Sequence, residues 1–256
     1  MKYISHLVLL LGLFLFNTRL DAQVNIEKYR QVEDAGGFSG SFAFGAEAQT
    51  GNTDIQELAV EGRLDYVNPS VTTFILTNND FGWEQGQRFS NEAVVHIRQM
   101  YRLREGLRLE VFGQYNFDKT IFINHRGLLG GGLRLRLLDK KMLKLWGGSG
   151  YMLEHERLGI PASGPHPDRT TVSRWTNYLS SRLNINDRLA SAWTIYAQPR
   201  FRAMQDFRLL SNINIEVDLG GPVVLTLSFQ MRYDSRPPGG IKKTDTKIEH
   251  AIAIVF

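Results

Sequence analysis

The sequence predicts an all-β fold: a roughly twelve-stranded antiparallel transmembrane β-barrel. Three observations carry this reading. The chain opens with an apolar export leader, keeps a two-residue apolar/polar period from Gly37 onward, and alternates short with longer connections.

The leader starts with one positive charge at Lys2 and continues as an apolar run from Leu7 to Phe16. It closes on Leu20-Asp21-Ala22-Gln23. A basic start, a short greasy core and a small residue at the cut are the marks of a secretory signal peptide. Residues 1–22 are therefore expected to be removed near Ala22. The run is too short for a transmembrane anchor, which needs about 20 apolar residues. The mature chain would then have roughly 234 residues, within the range of one all-β domain. Residues 23–36 are polar and charged (Asn25, Glu27, Lys28, Arg30) and are expected to form a periplasmic N-terminal segment. Residues 37–256 are expected to form the barrel.

The period is clearest over 107–117. Leu107, Leu109, Val111, Tyr115 and Phe117 alternate with Arg108, Glu110, Gln114 and Asn116. Successive side chains of a strand point to opposite faces, so one face is greasy and the other wet. The same pattern runs through 207–219 and 223–234. It predicts strands at 37–49, 54–67, 70–82, 88–104, 107–118, 126–138, 142–156, 171–185, 188–203, 207–219, 222–235 and 244–256. The third fits either phase, because Phe74, Ile75 and Leu76 are all apolar. Most of these segments exceed the roughly 9–11 residues that cross a bilayer at a tilt.

With both termini on the periplasmic side, alternate links should be short. Asn68-Pro69, Glu105-Gly106, Asp139-Lys140-Lys141, Asn186-Asp187 and Gly220-Gly221 fit that set. Residues 119–125, 157–170 and 236–243 supply the longer links. Aromatics on the apolar phase predict two interfacial girdles. Tyr101, Trp193 and Phe256, with Phe38, belong to the lower one. Phe117, Tyr151, Trp175, Phe201 and Tyr233 belong to the upper.

Composition agrees. A hydrophobic content of 43% and a mean hydropathy of −0.23 would suit a soluble protein, but a membrane barrel averages the same way. A soluble β-sandwich or lipocalin-like barrel also alternates, with its apolar phase inward. Strand length, link asymmetry and girdles favour the membrane. The absence of cysteine excludes thiolate catalysis and Cys-based metal sites. A pI near 9.3 would suggest nucleic acid in a cytoplasmic chain, but an exported one does not meet it.

Val24-Asn25-Ile26-Glu27, then Gly37-Phe38-Ser39-Gly40-Ser41, then Gln49-Thr50-Gly51-Asn52-Thr53 resemble the YdiY-like family of salt-induced outer-membrane proteins. The resemblance implies an outer-membrane β-barrel of undetermined activity, and it supplies no catalytic residues. The last strand, ending in Phe256, resembles the signal read by the barrel-assembly machinery. Outer-membrane lipid and that machinery are thus the expected partners.

The polar phase should face the lumen and carries both charge signs. Arg108, Arg134, Arg136, Arg174, Arg182, Arg200, Arg202 and Arg208 are the candidates for a solute path. Charged rings set pore selectivity, so the first functional expectation is a passive pore for small, anionic solutes. The alternative is a structural or stress-related envelope barrel whose lumen is plugged by Arg–acid pairs. An outer-membrane hydrolase would need a Ser–His pair with an orienting Asn or acid. Asn124-His125-Arg126-Gly127 comes closest, but no Ser comes directly after it. No catalytic residue, metal or cofactor is expected. His155 alternates with Glu154 and Glu156 and so cannot share a face with them. Gly130-Gly131-Gly132 opens no helix and so is not a nucleotide loop; it should serve bending or close packing. Pro199 lacks a ladder donor and should mark an irregularity.

Overall fold

The computed structural model describes residues 36–50, 54–161 and 166–256. The leader, the 23–35 segment and the Gly51-Asn52-Thr53 motif lie outside the described residues. Those described form twelve strands: β1 (Gly37–Gln49), β2 (Ile55–Val67), β3 (Val71–Glu84), β4 (Gln87–Arg104), β5 (Leu107–Asp118), β6 (Ile123–Asp139), β7 (Leu143–Leu158), β8 (Arg169–Asn184), β9 (Leu189–Arg200), β10 (Ala203–Gly220), β11 (Val223–Asp234) and β12 (Thr244–Val255). A short 3₁₀ turn, Lys119–Ile121, links β5 to β6.

Each strand pairs antiparallel with its neighbours in sequence, and β1 pairs with β12, so the sheet closes on itself. Closure removes the edge strands that an open sheet would expose. At the seam, Gly40 and Phe256 exchange both backbone hydrogen bonds, at 2.8 and 3.0 Å. A Cβ at Gly40 would sit 2.8 Å from the Phe256 ring, so the absent side chain makes room for the terminal aromatic.

Both ends of the chain's barrel lie at one mouth. The links at that mouth are 68–70, 105–106, 140–142, 185–188 and 221–222, all short. This is the periplasmic end of an outer-membrane barrel. The other mouth carries the longer links 159–168 and 235–243, but also two tight ones, 85–86 and 201–202. Gln85 and Gly86 both adopt positive φ, 50° and 77°, as a two-residue hairpin matched to strand twist requires.

The alternation sorts the wall as physics demands. Val95, Ile97, Leu109, Val111, Leu129, Leu133, Ile213, Ile215 and Leu225 are exposed on the outside. Arg98, Glu110, Asn116, Arg126, Arg134, Glu154 and Asn214 are buried inside. A soluble fold would invert this; an apolar outer belt over a polar interior is the signature of a barrel solvated by lipid. Among the described residues no helix is long and apolar enough to cross a membrane.

Three elements differ from the periodicity. β6 starts three residues earlier than predicted, with a register shift between Ile123 and His125. β9 ends earlier and β10 begins earlier, so 201–202 is a tight turn. Around Pro199 the ladders break, with the β9–β10 register shifting between Ala203 and Phe207 and β8–β9 pairing skipping from Arg174 to Asn177. β3 takes the phase that the sequence left open, turning Thr72, Phe74 and Leu76 inward and Ile75 outward.

Candidate functional site: the occluded lumen

A twelve-stranded barrel tilted by about 40° has a backbone diameter of about 24 Å. Eight strands are already filled by side chains, so twelve leave space that something must occupy. Here four layers occupy it, the last two interleaved, since on β4 Arg98 of the fourth lies nearer the outer mouth than Met100 of the third.

At the outer mouth, Ile121, Ile123 and Leu158 form a small apolar cluster, with Ile160 and Ile241 packed against it. Ile160 belongs to the β7–β8 link and Ile241 to the β11–β12 link, so the two long links meet over the mouth.

Beneath lies an ion-pair network. Arg126 on β6 donates from Nε to Glu154 on β7 at 3.0 Å, and its Nη2 is also bonded to that carboxylate. Arg174 on β8 reaches Glu154 at 3.0 Å. Arg208 on β10 reaches Glu154 at 2.6 Å, Glu156 at 3.3 Å and Asp234 on β11 at 2.7 Å. Glu154 thus accepts from three guanidiniums and is 1% exposed; Arg126 is 0% exposed. Arg174 does a second job at the break caused by Pro199. Its Nη1 donates to the Gln198 carbonyl at 3.2 Å and the Asp206 carboxylate at 3.2 Å, where the ladder has failed. Arg200 reaches the same Asp206 at 3.5 Å.

The third layer is apolar. Phe74, Leu76, Met100, Tyr196 and Leu210 are one buried cluster, with Tyr178 against it. Phe74 is on β3 and Tyr196 on β9, opposite each other in the twelve-strand ring. The cluster therefore has members on opposite walls of the lumen.

The fourth layer centres on Tyr178, whose hydroxyl donates to Glu110 at 2.6 Å and accepts from Arg134 at 3.2 Å. Arg98 donates to the same Glu110 oxygen at 3.2 Å. Glycines make this geometry possible. A Cβ at Gly148 would lie 2.1 Å from the Tyr178 ring, and one at Gly130 would lie 2.5 Å from the Phe112 ring. Gly132 and Gly150 face each other across β6–β7, each with backbone 2.3 Å from where a Cβ would be. The glycine run therefore serves close packing.

The eight arginine candidates fall in different places. Arg174, Arg200 and Arg208 belong to the outer network, and Arg134 to the fourth layer. Arg182 pairs with Glu216 at 2.9 Å. Arg108 and Arg136 line the periplasmic mouth. Arg202 sits exposed in the outer 201–202 turn. Arg126 opens the strand predicted over 126–138 but is absent from the solute-path candidates; its even parity with Leu128 and Arg134 was the available signal.

The aromatic candidates lie on the outer surface. Tyr101, Tyr151, Trp175, Trp193, Phe201 and Phe256 are exposed, and Phe117 and Tyr233 are partly so. Tyr151 and Trp175 both pack on Phe201, at centroid distances of 5.7 and 6.4 Å. Their polar tips are answered on the same face: Trp175 Nε1 donates to Ser149 at 2.8 Å and Trp193 Nε1 to Ser211 at 2.9 Å. His155 faces outward, bonded to Thr171 at 2.8 Å and stacked on His125.

Closed strand order, a lipid-facing apolar belt and a charged interior define a transmembrane β-barrel of the outer-membrane type. The chain belongs to the family described as "Protein of unknown function, DUF481", which matches residues 42–256. None of the curated proteins compared with it matches significantly. Among solved structures it is similar to the NanC porin, at 8% identity and a TM-score of 0.49, covering 86% of this chain and 99% of that one. It is also similar to a bacterial polysaccharide outer-membrane secretin, at 6% identity and 0.47, covering 86% and 97%. The translocator domain of autotransporter NalP from Neisseria meningitidis compares at 10% identity and 0.47, covering 88% and 89%.

Proposed function

We propose that the protein is an envelope barrel with a sealed lumen, not an open passive pore. The observation that carries this reading is the stack of cross-lumen contacts, above all the cluster joining Phe74 to Tyr196 on opposite walls. Water-filled conduction needs a continuous hydrated path, and apolar side chains packed beside an ion-paired layer and among the Tyr178–Glu110 contacts interrupt it. Buried opposite charges at this density act as struts between strands that are not neighbours. Arg208 to Glu156 runs from β10 to β7, and the neutral hydroxyl of Tyr178 adds a hydrogen bond to Glu110 from β8 to β5. The reading is non-enzymatic. His96 contacts Gln114, His155 contacts Thr171, and His166 contacts the Pro167 carbonyl, none of them a serine.

A second reading, a pore for small anions, is favoured by the arginines of the periplasmic mouth. It requires the inner layers to part. Solute-driven swelling of proteoliposomes carrying the refolded mature barrel separates the two. The sealed reading predicts no swelling in a small sugar or in glutamate; swelling with either supports the pore. Partnership with the barrel-assembly machinery is supported by the last strand, whose Phe256 pairs with Gly40 at the seam. Deleting Phe256 should lower the amount of barrel assembled in the outer membrane, and unchanged assembly would remove that role.

A further inference from the structure

A sealed lumen does not account for one part of the outside wall. On the outward phase of β6, β7 and β8, beside the outer mouth, stand His125, His155, Arg157 and Arg169. The registers set Arg157 directly opposite both Arg169 and His125, and His155 opposite Thr171. Like charges facing each other across a ladder destabilise a sheet. Other arginines near this mouth are answered. Arg126, Arg174 and Arg208 meet Glu154 inside, and Arg88 lies over the rings of Phe81 and Trp83 at 4.9 and 5.2 Å. Arg157 and Arg169 are exposed, and neither guanidinium is in an ion pair among the described residues. The outward phase of these three strands carries no Asp or Glu, since Glu154 and Glu156 alternate to the inside and are buried there. Asp168, next to Arg169 in the chain, makes no ion pair among the described residues either.

Their height on the wall sets what these side chains meet. Leu153 follows His155 toward the periplasm on the same face and stands opposite Leu129; the two are 39% and 67% exposed. That pair belongs to the apolar belt. From Leu153 to Arg157 is about 13 Å along the strand, or about 10 Å along the axis of a barrel whose strands tilt by about 40°. The headgroup layer over a hydrocarbon core is about 5–8 Å thick. Arginine stems lie along apolar surface while their heads stay in the polar layer, so both guanidiniums reach the headgroups of the outer leaflet. The His155 ring is fixed beside them, bonded through Nδ1 to the Thr171 hydroxyl at 2.8 Å and stacked on His125 at 6.4 Å.

We propose that this face binds the phosphate monoester of a phosphorylated lipid in the outer leaflet. Directly opposite residues have Cβ atoms about 4.5–5.5 Å apart, so the two guanidiniums converge on one group. A phosphate monoester carries a charge of about −1.5 to −2 at neutral pH and three acceptor oxygens, which answers two guanidiniums. A diester, with a single charge, answers one. The guanidinium fork takes such oxygens bidentately. Acyl chains of the same molecule would lie on Leu129 and Leu153 below, contacts that a free phosphate does not make. The face lies outside the lumen, so the site stands whether the interior conducts or not.

The test is native mass spectrometry of the refolded mature barrel released from neutral detergent. It is titrated with lipid A (an acylated glucosamine disaccharide bearing two phosphate monoesters), with the same lipid stripped of phosphate, and with inorganic phosphate. Saturable retention of lipid A is expected, weakened at least tenfold in Arg157→Ala/Arg169→Ala. Arg102→Ala/Arg104→Ala at the opposite mouth should leave it unchanged. The stripped lipid and inorganic phosphate should each bind at least tenfold more weakly than lipid A. Heat-modifiable gel mobility reports whether each variant folds. Should the first double variant fail to fold, Arg169→Ala alone decides, with at least a threefold loss expected. The proposal is overturned by lack of lipid A retention, by retention that the rim variants leave unchanged, or by equal retention of the stripped lipid. Inorganic phosphate binding as tightly as lipid A would also overturn it, making the face a site for soluble anions.

Discussion

Replacing Glu154 with glutamine removes one negative charge and leaves the shape of the side chain. In the folded barrel this carboxylate accepts from Arg126, from Arg174 at 3.0 Å and from Arg208 at 2.6 Å, with no exposure to dilute the effect. Glutamine keeps one acceptor oxygen but turns an NH₂ toward a guanidinium. Each charge-assisted bond lost costs roughly 1.5–3 kcal/mol, and the variant loses at least the one from Arg174, which alone goes to Oε1. Breaking a buried ion pair from one side costs about 3–5 kcal/mol, since the remaining charge stays buried. The two routes together bracket the loss at roughly 1.5–5 kcal/mol. The assay is urea unfolding of the refolded barrel in detergent micelles, followed by tryptophan emission. Arg208→Met should cost a similar amount. The double variant should cost less than the two together, because the groups share one network. A change below about 0.5 kcal/mol for Glu154→Gln is what an exposed, solvated pair would give. That result would refute the claim that this network is buried and holds the wall together.

The layers beside it give further expected outcomes. Gly148→Ala places a methyl where the Tyr178 ring now lies, 2.1 Å away, so Tyr178 must move off Glu110. A loss of about 1–3 kcal/mol is expected in the same unfolding assay, and an unchanged midpoint would show that the ring is not held there. Gly132→Ala meets backbone at 2.3 Å, which cannot rotate away. That variant should fail to give the heat-modifiable folded band, and normal folding would contradict the close β6–β7 approach. Phe74→Ala should cost roughly 3–5 kcal/mol and create intermittent ion conductance, since it hollows the layer that joins opposite walls. Silence combined with that stability loss would place the seal in another layer.

Much of the architecture is legible because a barrel wall is a local code. Alternation between a lipid face and a wet face repeats along every strand, so count and direction can be read without knowing any contact. The segments that resist are those where the local code is ambiguous. β3 carries Phe74, Ile75 and Leu76 in succession, and either phase satisfies propensity. In the inward phase Phe74 meets Arg63 and His96 and joins a cluster that reaches Tyr196 six strands away, none of them within a short window around residue 74. At 123–125, Asn124 and His125 read as loop. The strand extends through them because β7 offers Arg157 and Leu158 as pairing partners. Residue type showed that charges line the lumen, but not which arginine meets which acid. Arg208 finds Glu154 and Glu156 three strands away, at a distance set by barrel curvature. Pro199 is a case where chemistry sufficed, since a missing donor forces a break wherever it falls in a ladder. That Arg174 fills the break is tertiary information.

The most direct test of the sealed lumen is single-channel recording of the refolded mature barrel in a planar bilayer, in asymmetric KCl. A sealed lumen predicts a folded, inserted barrel with no steady conductance, and openings only when the Phe74 layer is hollowed. Steady conductance from the unaltered protein would contradict it and make the arginine-lined interior a path for ions.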